Sequence, residues 1–218
     1  MLKLNPCPLK PELHPLYLIL NLEDWHEWKQ WIVPFCQKGL SMIQLRGKKL
    51  SSRRFYQLAL EIKSLTAPWN PIIIINDRID IALLCNAHGV HLGRDDIPVP
   101  EARKILGSNC ILGKTAKSLR EIREAEEEGA HYLGIGSAFP SPTKPEALSL
   151  SPREIHNLAQ KTSLPVYGIG GIRRQNFKLI SHPSLFGVAL SSGILKAPNP
   201  LEEFLWFYSR LSEKSPKE

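Results

Sequence analysis

Short apolar runs alternate with amphipathic stretches along nearly the whole chain. The runs at 16–20, 42–46, 72–76, 89–92, 110–114, 132–136, 166–170 and 186–190 are strand-length, and most are β-branched or leucine-rich at consecutive positions. Apolar residues on both faces suit a parallel strand that helices cover on one side and packed side chains fill on the other. Between the runs, apolar spacing predicts helices at 25–36, 53–65, 80–85, 99–106, 119–128, 152–161, 174–181 and 201–211. Ser51 or Ser52, Pro98, Ser118 and the pair Ser151-Pro152 stand where helices begin, as capping hydroxyls or first-turn prolines.

Strand, loop and helix thus recur eight times, about every 24 residues, which predicts a single-domain α/β fold, a (β/α)8 TIM barrel. The barrel is expected over 14–211, with an N-terminal arm at 1–13 and a tail at 212–218. An open doubly wound sheet would want a glycine-rich turn after the first strand, and Leu18-Ile19-Leu20-Asn21-Leu22 has no glycine. Trp25, Trp28 and Trp31 share one helical spacing and are expected to form a packed face.

Charge narrows the partners. Lysine and arginine number 28 against 21 acidic residues, a net charge of +7, which favours anionic ligands. The basic residues are scattered, with no basic tail and no aromatic-basic alternation, so no nucleic-acid partner is expected. Cys7, Cys36, Cys85 and Cys110 form neither a close pair nor a zinc spacing, and the first residues carry no signal-like apolar core, so reduced cysteines and a cytoplasmic location are expected. No apolar run is long enough for a membrane span. The helices alone do not specify an oligomeric state.

In a barrel, chemistry gathers where strands end. Gln44, Arg46 and Lys48 follow the second strand; Gln44 and Arg46 share a face, so both reach the mouth, an amide beside two cations suited to a polar ring linked to an anion. The third and fourth strands end in Asn76-Asp77-Arg78 and His91-Leu92-Gly93-Arg94-Asp95-Asp96. Carboxylates on adjacent loops near two cations suit Mg²⁺ neutralising a diphosphate, with Asp77 and Asp96 as its ligands; the alternative is that they cap local turns. Zinc is not expected, since His88 and His91 lack a cysteine partner and His91 should pack or bond locally. The sixth-strand loop offers Ser141, Thr143 and Lys144 to phosphate oxygens. Gly170-Gly171 and Ser191-Ser192, after the seventh and eighth strands, can form a phosphate cup from backbone N–H groups. Two anion sites imply two small phosphorylated substrates, or one with phosphates at both ends. No nucleophile set stands out, so the machinery reads as electrostatic.

The segments Gln44-Leu45-Arg46-Gly47-Lys48, Ile75-Asn76-Asp77-Arg78, His88 to Asp96, Gly136 to Lys144 and Gly170-Gly171-Ile172 together resemble the thiamine phosphate synthase family, in unbroken order from Leu16 to Ile194. The resemblance implies a barrel enzyme that joins 4-amino-2-methyl-5-hydroxymethylpyrimidine diphosphate to 4-methyl-5-(2-phosphoethyl)thiazole, or its carboxylate, releasing pyrophosphate and giving thiamine phosphate. It implies a dissociative mechanism with Mg²⁺ as cofactor. Carried over, it gives Gln44 to the pyrimidine; Arg46, Lys48, Asn76 and Lys144 to the diphosphate; and Asp77 and Asp96 to the metal. Thr115 stands where the family has a serine near the reacting groups, while Ser141, Thr143, Gly170, Gly171, Ser191 and Ser192 surround the thiazole phosphate. Arg94 replaces a usual glutamine, Ser137 a proline and Ser141 a threonine, and Lys114 and Lys117 stand where an uncharged residue and a histidine are common. Two alternatives are a thiazole tautomerase, a branch that carries a histidine in the sixth-strand loop where this chain has Ser137, and a non-catalytic protein that binds thiamine intermediates.

Overall fold

Strand pairing follows chain order all the way round. The computed structural model describes residues 11–140 and 149–212. Within them lie β1 (Leu16–Asn21), β2 (Met42–Arg46), β3 (Ile72–Asn76), β4 (Gly89–Leu92), β5 (Ile111–Ala116), β6 (Tyr132–Gly136), β7 (Val166–Ile169) and β8 (Gly187–Leu190), each parallel to the next. β8 pairs back onto β1, Leu16 opposite Val188 and Leu18 opposite Leu190, so the sheet closes as the eight-strand period predicts.

The helices are α1 (Trp25–Gln37), α2 (Ser52–Thr66), α3 (Ile79–Leu84), α4 (Val99–Leu106), α5 (Leu119–Glu127), α6 (Pro152–Ala159), α7 (Phe177–Ile180), α8 (Ser192–Leu195) and α9 (Pro200–Ser212). The Ser51 and Ser118 side chains accept N–H groups of Arg54 and Glu121, and Ser151 with Glu154 forms a reciprocal capping box. Three expectations shift. The helix expected at 174–181 shrinks to α7 because the Asn176 side chain accepts from Arg173 N and donates to Gly171 O, at 2.8 and 2.9 Å, holding the preceding residues in a turn. The short α8 falls in a stretch expected to be loop. α9 runs through Ser212, where a tail was expected; the rest of that tail and residues 1–10 of the arm lie outside the described residues.

Two apolar layers hold the barrel. The outer one packs helices onto the sheet, with Leu18, Leu20, Ile43, Leu45, Phe35 and Phe204 buried; each such side chain contributes roughly 1.5–3 kcal/mol. Trp25 and Trp28 belong to this layer, and Trp31 is partly buried against it, as the tryptophan spacing predicts. The inner layer is made by alternate strand residues pointing to the axis: Tyr17 and Ile19, Met42, Ile72 and Ile74, Ile111, Tyr132, Tyr167 and Ala189. Leu13 packs on it from below, and the Tyr167 hydroxyl donates to His14 O at 2.7 Å, so the last residues of the arm cover the barrel floor.

Cys36 and Cys85 are free and buried, and burial pushes their thiols up to about 12 and about 11, which removes them as nucleophiles. Cys110 is disulfide-bonded, against the expectation of reduced cysteines throughout; spacing along the chain does not reveal which cysteines meet in space. Among the described residues no helix is long and apolar enough to cross a membrane.

His88 shows how tightly the outer layer is tuned. Its Nδ1 accepts Ile73 N–H at 3.0 Å, and burial, aided by the Lys63 charge, holds the imidazole below its usual value of 6.5. The unfolded chain therefore binds a proton that the folded chain refuses, so this contribution is present above pH 6.5 and lost as pH falls below it. Urea unfolding across that range should show the midpoint falling with acid, and His88→Gln should fall less steeply; equal slopes would refute the assignment.

Candidate active site

Alternation along a strand places every second side chain inside a closed barrel, so the last inward residue of each strand must enter one space at its carboxyl end. That space is a cavity of about 190 Å³. Of the described residues given a catalytic, substrate or metal role from the sequence, Gln44, Arg46, Lys48, Asn76, Asp77, Thr115, Gly170, Gly171, Ser191 and Ser192 line it and Asp96 does not. Ser141, Thr143 and Lys144 lie outside the described residues.

The arc from β2 to β4 carries the charges. Arg46 Nη1 donates to Asn21 Oδ1 at 3.3 Å, which steadies the guanidinium at the rim. Lys48 Nζ lies 3.0 Å from Asp77 Oδ2. Asp77 adopts a left-handed backbone, φ +64, at a cost on the order of 1 kcal/mol, while its N–H donates to His91 O at 2.9 Å. It does not cap the following helix, whose N-cap is Arg78. Asp96 is held beside it by accepting Gly93 N–H at 2.6 Å.

These two carboxyls pull apart in acidity. Burial raises Asp77, but its hydrogen bond with Asp96 and the Lys48 ammonium outweigh burial and hold it below the usual range; burial first, then the hydrogen bond with Asp77 and its charge, hold Asp96 above it. Two carboxyls held this close concentrate negative charge that Lys48 offsets only in part.

The arc at β7 and β8 is built from space instead. Gly170 and Gly171 have φ of +99 and +62, and a Cβ on Gly171 would stand 2.6 Å from Phe139 O and 2.7 Å from Pro140 O. Backbone therefore approaches backbone closely here, and Ser191, Ser192 and Gly193 at the start of α8 face the same cavity. N–H groups of a helix's first turn lack partners within the helix, which suits a bound anion.

The match to known proteins spans this site: residues 16–194 fit the family described as thiamine monophosphate synthase. The chain belongs to the thiamine monophosphate synthase family. It is 39% identical to a thiamine-phosphate synthase of Methanobrevibacter smithii over 85% of this chain and 89% of that protein. It is 40% identical to one from Enterococcus faecalis over 86% and 90%. Its fold is similar to that of a thiamine phosphate pyrophosphorylase from Pyrococcus furiosus, TM-score 0.82 at 29% identity, covering 91% of this chain and 96% of that one.

Within this thiamine monophosphate synthase barrel, three site residues escape the sequence reading. Asn21 lines the cavity and meets Arg46. Asn176 braces Gly171 from outside the cavity. His91, expected to pack or bond locally, lines the cavity and bonds to Thr115 on β5 and Tyr132 on β6. Inward parity marks Asn21 as a candidate, since it shares a face with the axis residues Tyr17 and Ile19, whereas on β4 His91 shares its face with Gly89. The unusual residues are anchored by bonds of their own: Arg94 to Glu121 at 2.8 Å, Lys114 Nζ to Gly93 O at 2.9 Å and Ser137 Oγ to Phe139 O at 2.8 Å.

Among the described residues no group of three or more acidic, histidine or cysteine side chains forms a ready metal cage. The Asp77 and Asp96 pair nevertheless fits a hard divalent ion that keeps water and substrate oxygens as its other ligands. Such an ion would relieve the repulsion recorded in the raised Asp96. In metal-free protein Asp96→Asn should therefore raise the unfolding midpoint at pH 7, because it removes the carboxyl whose charge burial and Asp77 disfavour. The advantage should vanish on acidification through the Asp96 titration, because the native state then takes up its proton before the unfolded chain does. A variant no more stable than wild type at pH 7 would refute the pairing.

Proposed function

We propose that this chain transfers the pyrimidinylmethyl group of 4-amino-2-methyl-5-hydroxymethylpyrimidine diphosphate to the ring nitrogen of 4-methyl-5-(2-phosphoethyl)thiazole, or its carboxylate, giving thiamine phosphate and pyrophosphate. The observation that carries the reading is one cavity with two unlike anion sites: Arg46 and Lys48 beside a carboxylate pair on one arc, and a metal-free glycine and serine cup on the other. A diphosphate with Mg²⁺ suits the first and a lone phosphate the second.

Gln44 on β2 and Thr115 on β5 face the reacting carbon in this reading. The bond between the methylene carbon and the diphosphate oxygen breaks, and its electron pair leaves with the diphosphate. Arg46, Lys48, Asn76 and Lys144 hold that leaving group through charge and hydrogen bonds. Asp77 and Asp96 would hold Mg²⁺, which would supply further neutralisation of diphosphate charge. The aminopyrimidine spreads the positive charge left on the methylene, and the cup holds the thiazole so that its nitrogen lone pair forms the new bond. Lys48 must exchange its Asp77 contact for the diphosphate as the substrate enters.

Purified protein should release pyrophosphate only when pyrimidine diphosphate, thiazole phosphate and Mg²⁺ are all present, with thiamine phosphate formed in equal amount. Lys144→Ala and Arg46→Ala should each slow single-turnover release about 10²-fold, the scale of a charge contact made in the transition state. Binding of both compounds without release would overturn the reaction; an unchanged rate in both variants would overturn their role.

A further inference from the structure

Beneath the cavity runs an unbroken line of buried polar contacts. Gln44 Nε2 donates to Tyr17 Oη at 2.8 Å, Tyr17 Oη meets Tyr132 Oη at 2.8 Å, His91 Nδ1 meets Tyr132 Oη at 3.2 Å, and His91 Nε2 meets Thr115 Oγ1 at 3.0 Å. Both ends, Gln44 and Thr115, line the cavity. The middle lies in the barrel axis, where Tyr17 and Tyr132 are at most 1% exposed and His91 is 7% exposed. Space has been cleared for it: a Cβ on Gly113 would stand 2.1 Å from Tyr132 Cζ, and one on Gly134 would stand 3.1 Å from His91 Cε1. Three polar side chains occupy axis positions where apolar ones would pack without needing partners.

With the Gln44 amide oriented as it is, Nε2 toward Tyr17, the contacts run in one direction. An amide nitrogen only donates, so Tyr17 Oη accepts from Gln44 and its single hydrogen goes to Tyr132. Tyr132 has then accepted once, and its own hydrogen goes to His91 Nδ1. His91 must carry its proton on Nε2 and donate it to Thr115, which leaves the Thr115 hydrogen for the cavity. Burial raises both phenols well above their usual value, so they act as O–H groups throughout. Turning the Gln44 amide over would reverse every step and make Thr115 an acceptor.

We propose that Tyr17, Tyr132 and His91 are positioning residues that lock His91 as the Nε2–H tautomer and fix Thr115 as a hydrogen-bond donor toward the departing diphosphate, tied to the Gln44 amide with its carbonyl left for the pyrimidine. The link to the diphosphate rests on the reaction proposed above; the direction of the chain does not. It also gives the two reactive contacts a common origin: whatever ligand turns the Gln44 amide also changes what Thr115 offers.

Ligand-free protein labelled with ¹⁵N at histidine tests the direction without substrate, by long-range proton–nitrogen correlation, with the His91 signals identified by their loss in His91→Gln. The expected wild-type spectrum shows His91 protonated at Nε2 alone; protonation at Nδ1 would overturn the chain. Tyr17→Phe and Tyr132→Phe should each replace the single tautomer by a mixture, and spectra unchanged in both variants would also overturn it. Tyr132→Phe should lower kcat about tenfold, the weight of one hydrogen bond, with little change in KM. Added to Thr115→Ala it should cost nothing further, since both changes remove the same donor; additive losses would mean that Tyr132 does not act through Thr115. A correct tautomer in a protein that releases no pyrophosphate would count against the reaction alone.

Discussion

Closure of the sheet is the constraint on which everything else depends. Once β8 pairs with β1, each strand has an inside and an outside, and a shift of one residue would send apolar axis residues to the helices and polar ones to the core. The same parity that places Ile72 and Ile74 in the axis places Asn76 in the cavity, and the parity of Met42 fixes Gln44 and Arg46. Packing energy thereby positions the site: the apolar residues of each strand hold its last polar residue in place.

The site is charged but largely compensated. Lys48 rests on Asp77, Arg94 on Glu121, and Arg46 on an amide. What stays uncompensated is the second carboxyl of the acidic pair, and this local excess is what a divalent cation would complete. Substrate entry in this scheme exchanges partners that already exist, so the cations are in position before a diphosphate arrives and little reorganisation remains for the chemical step.

Much of this was legible in the sequence. The strands were readable because consecutive apolar residues leave few alternatives to a buried parallel strand, and β2, β3, β4 and β6 begin and end where the pattern puts them. Helix ends were readable where a cap is local, as at Ser51, Ser118 and Ser151. They were not readable at α7, because its start is set by Asn176 reaching back to Gly171. Site residues that terminate apolar strands, such as Arg46 and Asn76, stood out by contrast. Tyr17, Tyr132 and His91 did not, because tyrosine and histidine within a strand read equally well as packing groups and their partners lie from 24 to 115 residues away. The bond at Cys110 was hidden for the same reason: it depends on distance in space.

The close approach at Gly171 has a consequence for how such a barrel changes over generations. Any side chain admitted there meets the carbonyls of Phe139 and Pro140, so a substitution succeeds only if those backbone positions move with it. The opposite arc ends in long side chains, such as Arg46 and Lys48, that can be exchanged one at a time without displacing the main chain. Divergence toward new substrates is therefore channelled: the end where backbone meets backbone is inherited as a block, and novelty enters through the other end of the cavity.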